Sequence, residues 1–536
     1  MSRKKQRNQR QQKNIHKNQS TERTRRDHDF IHELTPLKRV LLSAAFLATA
    51  SSFVIGLMAT ISGQNKVLAT ISFAVTFASF IVGTIQAFPR LTSNVRESIR
   101  TIINMSTYLI LSLAILAIPL LGWLSTQQSV VRIGVGLPFA DNRQDAEPIF
   151  RATQLAVQKY TNGTNRIGNY TIQLVPFDDK EIGNVARILS PDNLDQTVDT
   201  KKLVDFVSDA RLGGIIGPFD SGKALVELPI ITKAKISTLT PANTNDCLTD
   251  KEFATGECDV SKLGSGFYFR GVTSDAVRTR VLAEKLHDAY PNANKIVIFR
   301  DGTPFGSQFA KRFEENWTKL AHTSEVPSYD MSGDQMNDAE NDLHDLKFTP
   351  DIVVFAGTGI KAINLHKVMQ SNNAYNDTVF VSAASIMNGG FFEHLKQNPK
   401  GAVYAITPMP YDDSSKSLSN FINQYNARYA SSPTPYAASA YDATGILLEA
   451  IKDTITYASV PLPVFERTAD FREAIANNIK STNTSNTTAL KGVTGTIRFD
   501  PSGSAVYGGT SENPGVTVFK FDGDARQWRV VGEKDD

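Results

Sequence analysis

Cysteine is nearly absent: the 536 residues hold two, Cys247 and Cys258. Two cysteines without a nearby histidine cannot make a four-ligand zinc site by themselves. In an oxidising compartment they could close a short loop as a disulfide, and in a reducing one they would be ordinary thiols. Histidine is scarce as well. The eight histidines are scattered, His16, His28 and His32 lying near the N-terminus, and no HExxH or comparable cluster occurs. Metal-assisted hydrolysis therefore has no support, and no metal or other cofactor is expected. The GxSxG elbow of serine hydrolases is missing too. The segment GPFDSGKA (217–224) nearly satisfies the phosphate-loop pattern, but its eighth position is Ala224, which has no hydroxyl to place on magnesium. The pair Asp178–Asp179 ends a strand-like run and reads as a solvated turn. Nothing here asks for an enzyme.

Charge is unevenly placed. Residues 1–39 carry twelve Lys/Arg against four Asp/Glu. Residues 40–124 add +3, which leaves 125–536 at −8 within an overall +3. The tail has almost no apolar residue to bury and reads as disordered. Basic tails of this kind touch nucleic acid or anionic lipid. Here the simpler reading is topological, with membrane lipid as neighbour and no nucleic acid, because cationic residues stay on the cytoplasmic side of a first span.

Three apolar stretches follow, at 40–62, 67–88 and 102–124, the first without a single charge. Each matches the roughly 20 residues that a helix needs to cross a bilayer core. The 63–66 loop is nearly neutral, whereas the 89–101 loop holds Arg90, Arg96 and Arg100. Positive-inside counting places the tail and the second loop in the cytoplasm, and three crossings put the remainder outside. Nothing after Leu124 is apolar enough to return. The expected organisation is a cytoplasmic tail (1–39), a membrane anchor (40–124) and one extracytoplasmic module (130–531), a multi-pass protein of the cell membrane.

The module alternates strand-like and helix-like runs. Strands are predicted at 130–139, 171–179, 212–219, 236–241, 295–299, 351–355, 378–384 and 402–408, with helices at 147–160, 201–210 and 223–233 and between the later strands. Repeated units of this kind give α/β architecture with mostly parallel, doubly wound sheets. Ten or so strands over four hundred residues favour two lobes over one sheet. The C-terminal stretches GTIRFD-PSG-SAVY and GVTVFKFDG-DARQWRVV read as hairpins.

The ordered series IGVGLPF, IQLVPFDDKE, GGIIGPFDSGKALVELPI, ISTLTPANTNDCLT, FYFRGVTSDAVRTRVLAEKL, IVIFRDGTPFGSQF, DIVVFAGTG and PYAASAYDATGILLEAI resembles type I periplasmic binding proteins, in particular the leucine/isoleucine/valine-binding group of ABC transporters. The resemblance covers about 131–531. It implies two α/β lobes joined by three hinge crossovers, with a small amino acid- or amide-like ligand held between them. The positions that hold ligand carboxylate and amino groups in that family correspond to Ser221, Ala242 and Thr244. Phe305 falls where family members carry a closing Tyr. Phe219 either lines the same implied cleft or packs beneath it, and Thr358, Ser382 and Ser385 lie at strand ends facing it. One position departs from the family: after TVFVSAAS, where an acid commonly neutralises a ligand ammonium, no Asp or Glu occurs before Glu393. The resemblance implies solute capture for an ABC permease. The three apolar stretches also suit an alternative, a membrane sensor built on the same clamp.

Overall fold

The computed structural model describes residues 130–140, 142–179, 197–253, 258, 263, 266–322, 325–331, 336–357, 359–395, 400–412, 414–457, 468–481, 490–507 and 515–532. The expected tail and the three expected spans lie outside these residues, as does Thr358. Among the described residues no helix is long and apolar enough to cross a membrane.

Lobe one is built on β1 (Val130–Leu137), β2 (Arg166–Ile167), β3 (Tyr170–Asp178), β4 (Leu212–Ile216), β5 (Ser237–Thr240) and β6 (Tyr268–Arg270). These form a six-stranded sheet in the order β2-β3-β1-β4-β5-β6, parallel except for β2. Lobe two is built on β7 (Ile296–Arg300), β8 (Ser328–Asp330), β9 (Ile352–Ala356), β10 (Val379–Ala383) and β11 (Val403–Thr407). A small sheet of β12 (Leu490–Lys491), β13 (Thr496–Phe499) and β14 (Ala505–Tyr507) follows. The hairpin of β15 (Thr517–Asp522) and β16 (Gln527–Val530) then joins lobe two through β11, completing the order β16-β15-β11-β10-β9-β7-β8.

Strands β4, β9, β10 and β11 are buried at every position. That is the signature of parallel strands covered on both faces, and explains why they read as continuous apolar runs. The helices supply the covers. In lobe one they are α1 (Arg143–Tyr160), α2 (Thr197–Val207) and α3 (Ser221–Lys233). In lobe two they are α4 (Asp275–Ala289), α5 (Pro304–Ala321), α6 (Met336–Asp345), α7 (Gly359–Ser371) and α8 (Gly389–Leu395). The chain then returns to lobe one through α9 (Lys416–Tyr429), α10 (Pro435–Tyr457) and α11 (Thr468–Ser481).

Each lobe thus has two apolar layers. One face of the first sheet packs Ile133 and Val135 on Leu447, Ile451 and Ile475, and the other packs Ile215 on Leu203, Val207 and Ile231. In lobe two, Ile298 and Val354 meet Leu282, Phe309, Phe313 and Trp317, while Val297 and Phe355 meet Leu343, Leu365 and Phe391. Phe309, Phe313 and Trp317 recur at i, i+4 and i+8, one stripe of α5.

The chain passes between lobes after β6, after β11 and between β14 and β15, and Thr273 ties these passages together. Its N–H donates to Pro408 O at 2.6 Å and its Oγ1 to Gly515 O at 2.6 Å. The expected two-lobed α/β architecture with three crossovers is the one observed.

Candidate functional site

The site is assembled where parallel strands end and helices begin, on both sides of the gap between lobes. After β4 the chain must turn sharply, and Gly217 does this with φ +124°; a Cβ there would lie 2.3 Å from Gly136 O, so no side chain fits. The turn delivers Asp220, whose carboxylate caps α3 by accepting from the N–H groups of Gly222 (2.7 Å) and Lys223 (3.2 Å). Asp220 thus occupies two of the N–H groups that this helix N-terminus would otherwise offer to an anion. Ser221, the next residue, is buried.

After β5 the loop 241–245 is braced from three directions. Thr240 Oγ1 donates to Pro218 O and accepts from the amides of Ala242 and Asn243. Asn243 donates to Phe219 O at 2.7 Å and accepts from the Tyr268 hydroxyl. Ala242 and Thr244 are thereby held rigidly and are both buried.

The same loop meets lobe two. Asp246 Oδ2 accepts from Arg312 Nε at 2.9 Å and from Gln308 Nε2 at 2.8 Å, both on α5. Arg312 also lies 4.0 Å over the ring of Phe253. Asn245 donates to Pro304 O, and the Asp275 N–H, at the start of α4, donates to Thr244 O at 2.8 Å. The lobes are closed on one another along this edge. Cys247 and Cys258, beside Asp246, are joined as a disulfide with Cα atoms 5.8 Å apart.

At the centre lies a polar cluster that sequence reasoning missed. Arg278 of α4 is completely buried. Its Nη2 donates to Asp275 Oδ1 at 2.5 Å and to Thr244 Oγ1 at 3.2 Å. The guanidinium carbon stands 5.3 Å from the ring centre of Phe305 and 4.8 Å from that of Phe309. Tyr436 packs edge-on against Phe219, and burial pushes its hydroxyl up to about 12, with the Arg278 charge pulling the other way. Asp145, at the start of α1, is buried and pushed up to about 6 by desolvation, against hydrogen bonding from Asn142 and from Asn388 of lobe two.

Of the residues named from sequence, Thr244, Phe305 and Phe219 are thus linked through Arg278 and Tyr436, and Ser221 and Ala242 lie on the adjoining turns. Ser382 and Ser385 are placed differently. Their hydroxyls donate to Phe355 O (3.0 Å) and Gly357 O (2.9 Å), so both are engaged with neighbouring strand ends of their own lobe. A signal for Arg278 was present: Asp275, Arg278, Leu282 and Leu286 fall on one buried stripe of α4, which places an arginine among core residues.

Residues 130–506 match the periplasmic binding protein family. No curated protein matches in sequence. Among solved structures, a leucine binding protein from Thermotoga maritima is 18% identical with a TM-score of 0.56, over 75% of this chain and 97% of that one. A solute binding protein of an ABC transporter from R. palustris, in complex with benzoate, is 17% identical with a TM-score of 0.57, over 75% and 96%. A branched-chain amino acid transporter substrate binding protein from Streptococcus pneumoniae, in complex with isoleucine, is 18% identical with a TM-score of 0.54, over 75% and 99%. The shared fold, and a family match extending over more than half the sequence, lead to one conclusion: the chain belongs to the periplasmic binding protein family.

Proposed function

We propose that this chain is a membrane-anchored, extracytoplasmic solute-binding protein that captures a small, amino acid-like polar ligand between its lobes for an ABC-type transporter. The observation that carries this reading is the interlobe cluster. Thr244 from lobe one, Arg278 and Phe305 from lobe two and Tyr436 converge on one buried place, and the lobes are latched beside it by Asp246, Gln308 and Arg312. A clamp of this kind responds to a ligand only through its different affinity for open and closed forms, which is the behaviour that a transport receptor needs. The solved neighbours bound to isoleucine and benzoate support a small organic ligand. Membrane anchoring rests on the three apolar stretches and their flanking arginines. An oxidising compartment is consistent with the Cys247–Cys258 bond. The three stretches equally support a second reading, a sensor that couples ligand-driven closure to a cytoplasmic partner.

The test is a thermal-shift screen of the full chain in detergent against L-amino acids, their amides, benzoate and short carboxylates. A ligand at roughly 100 times its dissociation constant adds about 2.7 kcal/mol of stability. Ser221→Ala combined with Thr244→Ala should abolish the shift while the variant stays folded, its unliganded melting temperature lowered by the loss of the Thr244–Arg278 bond. A full shift retained by that double variant removes these residues from the site.

A further inference from the structure

We propose that Arg278 is the anion anchor of this cleft: its unpaired nitrogens bind a carboxylate on the solute, so the protein selects amino acids and organic acids over their neutral amides. The inference rests on the solute-binding reading and names the chemical class that the site takes.

Arg278 is wholly buried, yet it is only half answered. Nη2 serves Asp275 and Thr244 and the Tyr436 hydroxyl stands against the guanidinium as a further acceptor, whereas Nε and Nη1 make no well-aligned hydrogen bond among the described residues. A guanidinium does not give up its proton, so these donors cannot be silenced by neutralisation. Buried donors left unmade are costly, and a pair serving structure alone is commonly replaced by apolar residues without loss. The surplus capacity therefore points to a group that arrives from outside. The two aromatic rings against the guanidinium hold it in place without using its N–H groups. An anion accepting from Nη1 or Nε would bind a guanidinium that Thr244 of lobe one holds through Nη2, an arrangement complete only when the lobes are closed. Its binding would therefore favour the closed form.

The cluster also answers the departure from the family noted in the sequence. Asp275 Oδ2 and Asp145 Oδ1 are buried and make no well-aligned hydrogen bond among the described residues, while Thr244 reaches the Asp275 carboxyl and Asn142 and Asn388 reach that of Asp145. An α-amino acid could present its carboxylate to Arg278 and its ammonium to one of these carboxylates, so no acid is needed after β10. A charged pair of opposite sign, each with an open valence, is complementary to a zwitterion.

The experiment is titration calorimetry on the full-length chain in detergent with two matched pairs, L-leucine with L-leucinamide and benzoate with benzamide. Wild type is expected to bind at least one acid, and to bind its amide about 100-fold more weakly. Arg278→Gln should bring acid and amide within about threefold of each other, chiefly by losing affinity for the acid. Arg278→Lys keeps the charge without the planar fork and should retain the preference with acid affinity lowered about tenfold; it decides the matter should the glutamine variant fail to fold. Equal binding of acid and amide by wild type overturns the anchor and leaves solute binding standing, and so does an acid preference that survives in Arg278→Gln. No binding of any of the four probes by wild type overturns the solute-binding reading, and the anchor with it.

Discussion

Arg278 Nη2 donates to Thr244 Oγ1 at 3.2 Å, and this bond joins a helix of lobe two to the loop that follows β5 in lobe one. It makes Thr244 a positioning residue for the guanidinium. Thr244→Val, close in shape but without the hydroxyl, should weaken L-leucine or benzoate binding by about tenfold, as expected for one charge-assisted hydrogen bond. Calorimetry on the full chain measures this. Unchanged affinity would show that the hydroxyl is a bystander.

The interlobe latch gives a prediction of a different kind. Arg312 and Gln308 touch Asp246 across the gap but not the central cluster. Arg312→Ala should therefore favour the open form and lower ligand affinity by about three- to tenfold, with the acid-over-amide preference intact. A lost preference, seen in the same calorimetric titrations, would place Arg312 in the binding site itself.

Lobe one carries a pH dependence that the cleft does not need. Burial, reinforced by the charge on Asp220, raises the Asp179 carboxyl to about 7, and Glu227 beside it is raised well above its ordinary value by burial and by Asp179. The folded protein thus holds these protons to higher pH than the unfolded chain does. Stability contributed at acid pH is lost as pH climbs from about 4 through about 7. Asp179→Asn should be more stable than wild type by roughly 1–3 kcal/mol at about pH 8 and indistinguishable from it near pH 4. Chemical denaturation at the two pH values checks the sign, and a variant less stable at the higher pH contradicts it.

The Cys247–Cys258 bond closes a short loop, the two residues lying 11 apart in sequence, immediately after the residue that latches the lobes. Replacing both with Ser should cost about 2–3 kcal/mol of unfolding free energy. It should also weaken ligand binding modestly by loosening Asp246. Melting curves with and without dithiothreitol measure the first effect: wild type should shift on reduction and the double variant should not.

The fold was legible in the sequence because its strands are buried on both faces and stand as separate apolar runs, as in DIVVF and AVYAIT, with amphipathic helices between. Strand β6 escaped notice because three residues, Tyr268–Arg270, are too few for a periodicity, and β8 is as short. In the site, the turns after β4 and β5 were found through the family resemblance. Arg278 was not, because TSDAVRTRVLAEKL has two arginines two residues apart and reads as an ordinary charged helix. The one local sign is that Arg278 falls on the stripe of Leu282 and Leu286; packing then separates it, fully buried, from Arg280, which is exposed and paired with Glu284. Tyr436 and Asp145 were missed for a related reason: they reach the cluster from α10 and α1, far away in sequence, and no local pattern marks that meeting.

The central claim is that two lobes close on a small solute. It is tested most directly by the distance between spin labels on exposed positions of each lobe, Gln154 on α1 and Lys319 on α5, measured by double electron–electron resonance on the full chain. With saturating L-leucine or benzoate, whichever calorimetry shows to bind, the distance distribution should narrow and move toward the closed form, and Arg312→Ala should broaden it again when ligand is absent. A distribution that stays unchanged while calorimetry reports a saturated site would contradict the account.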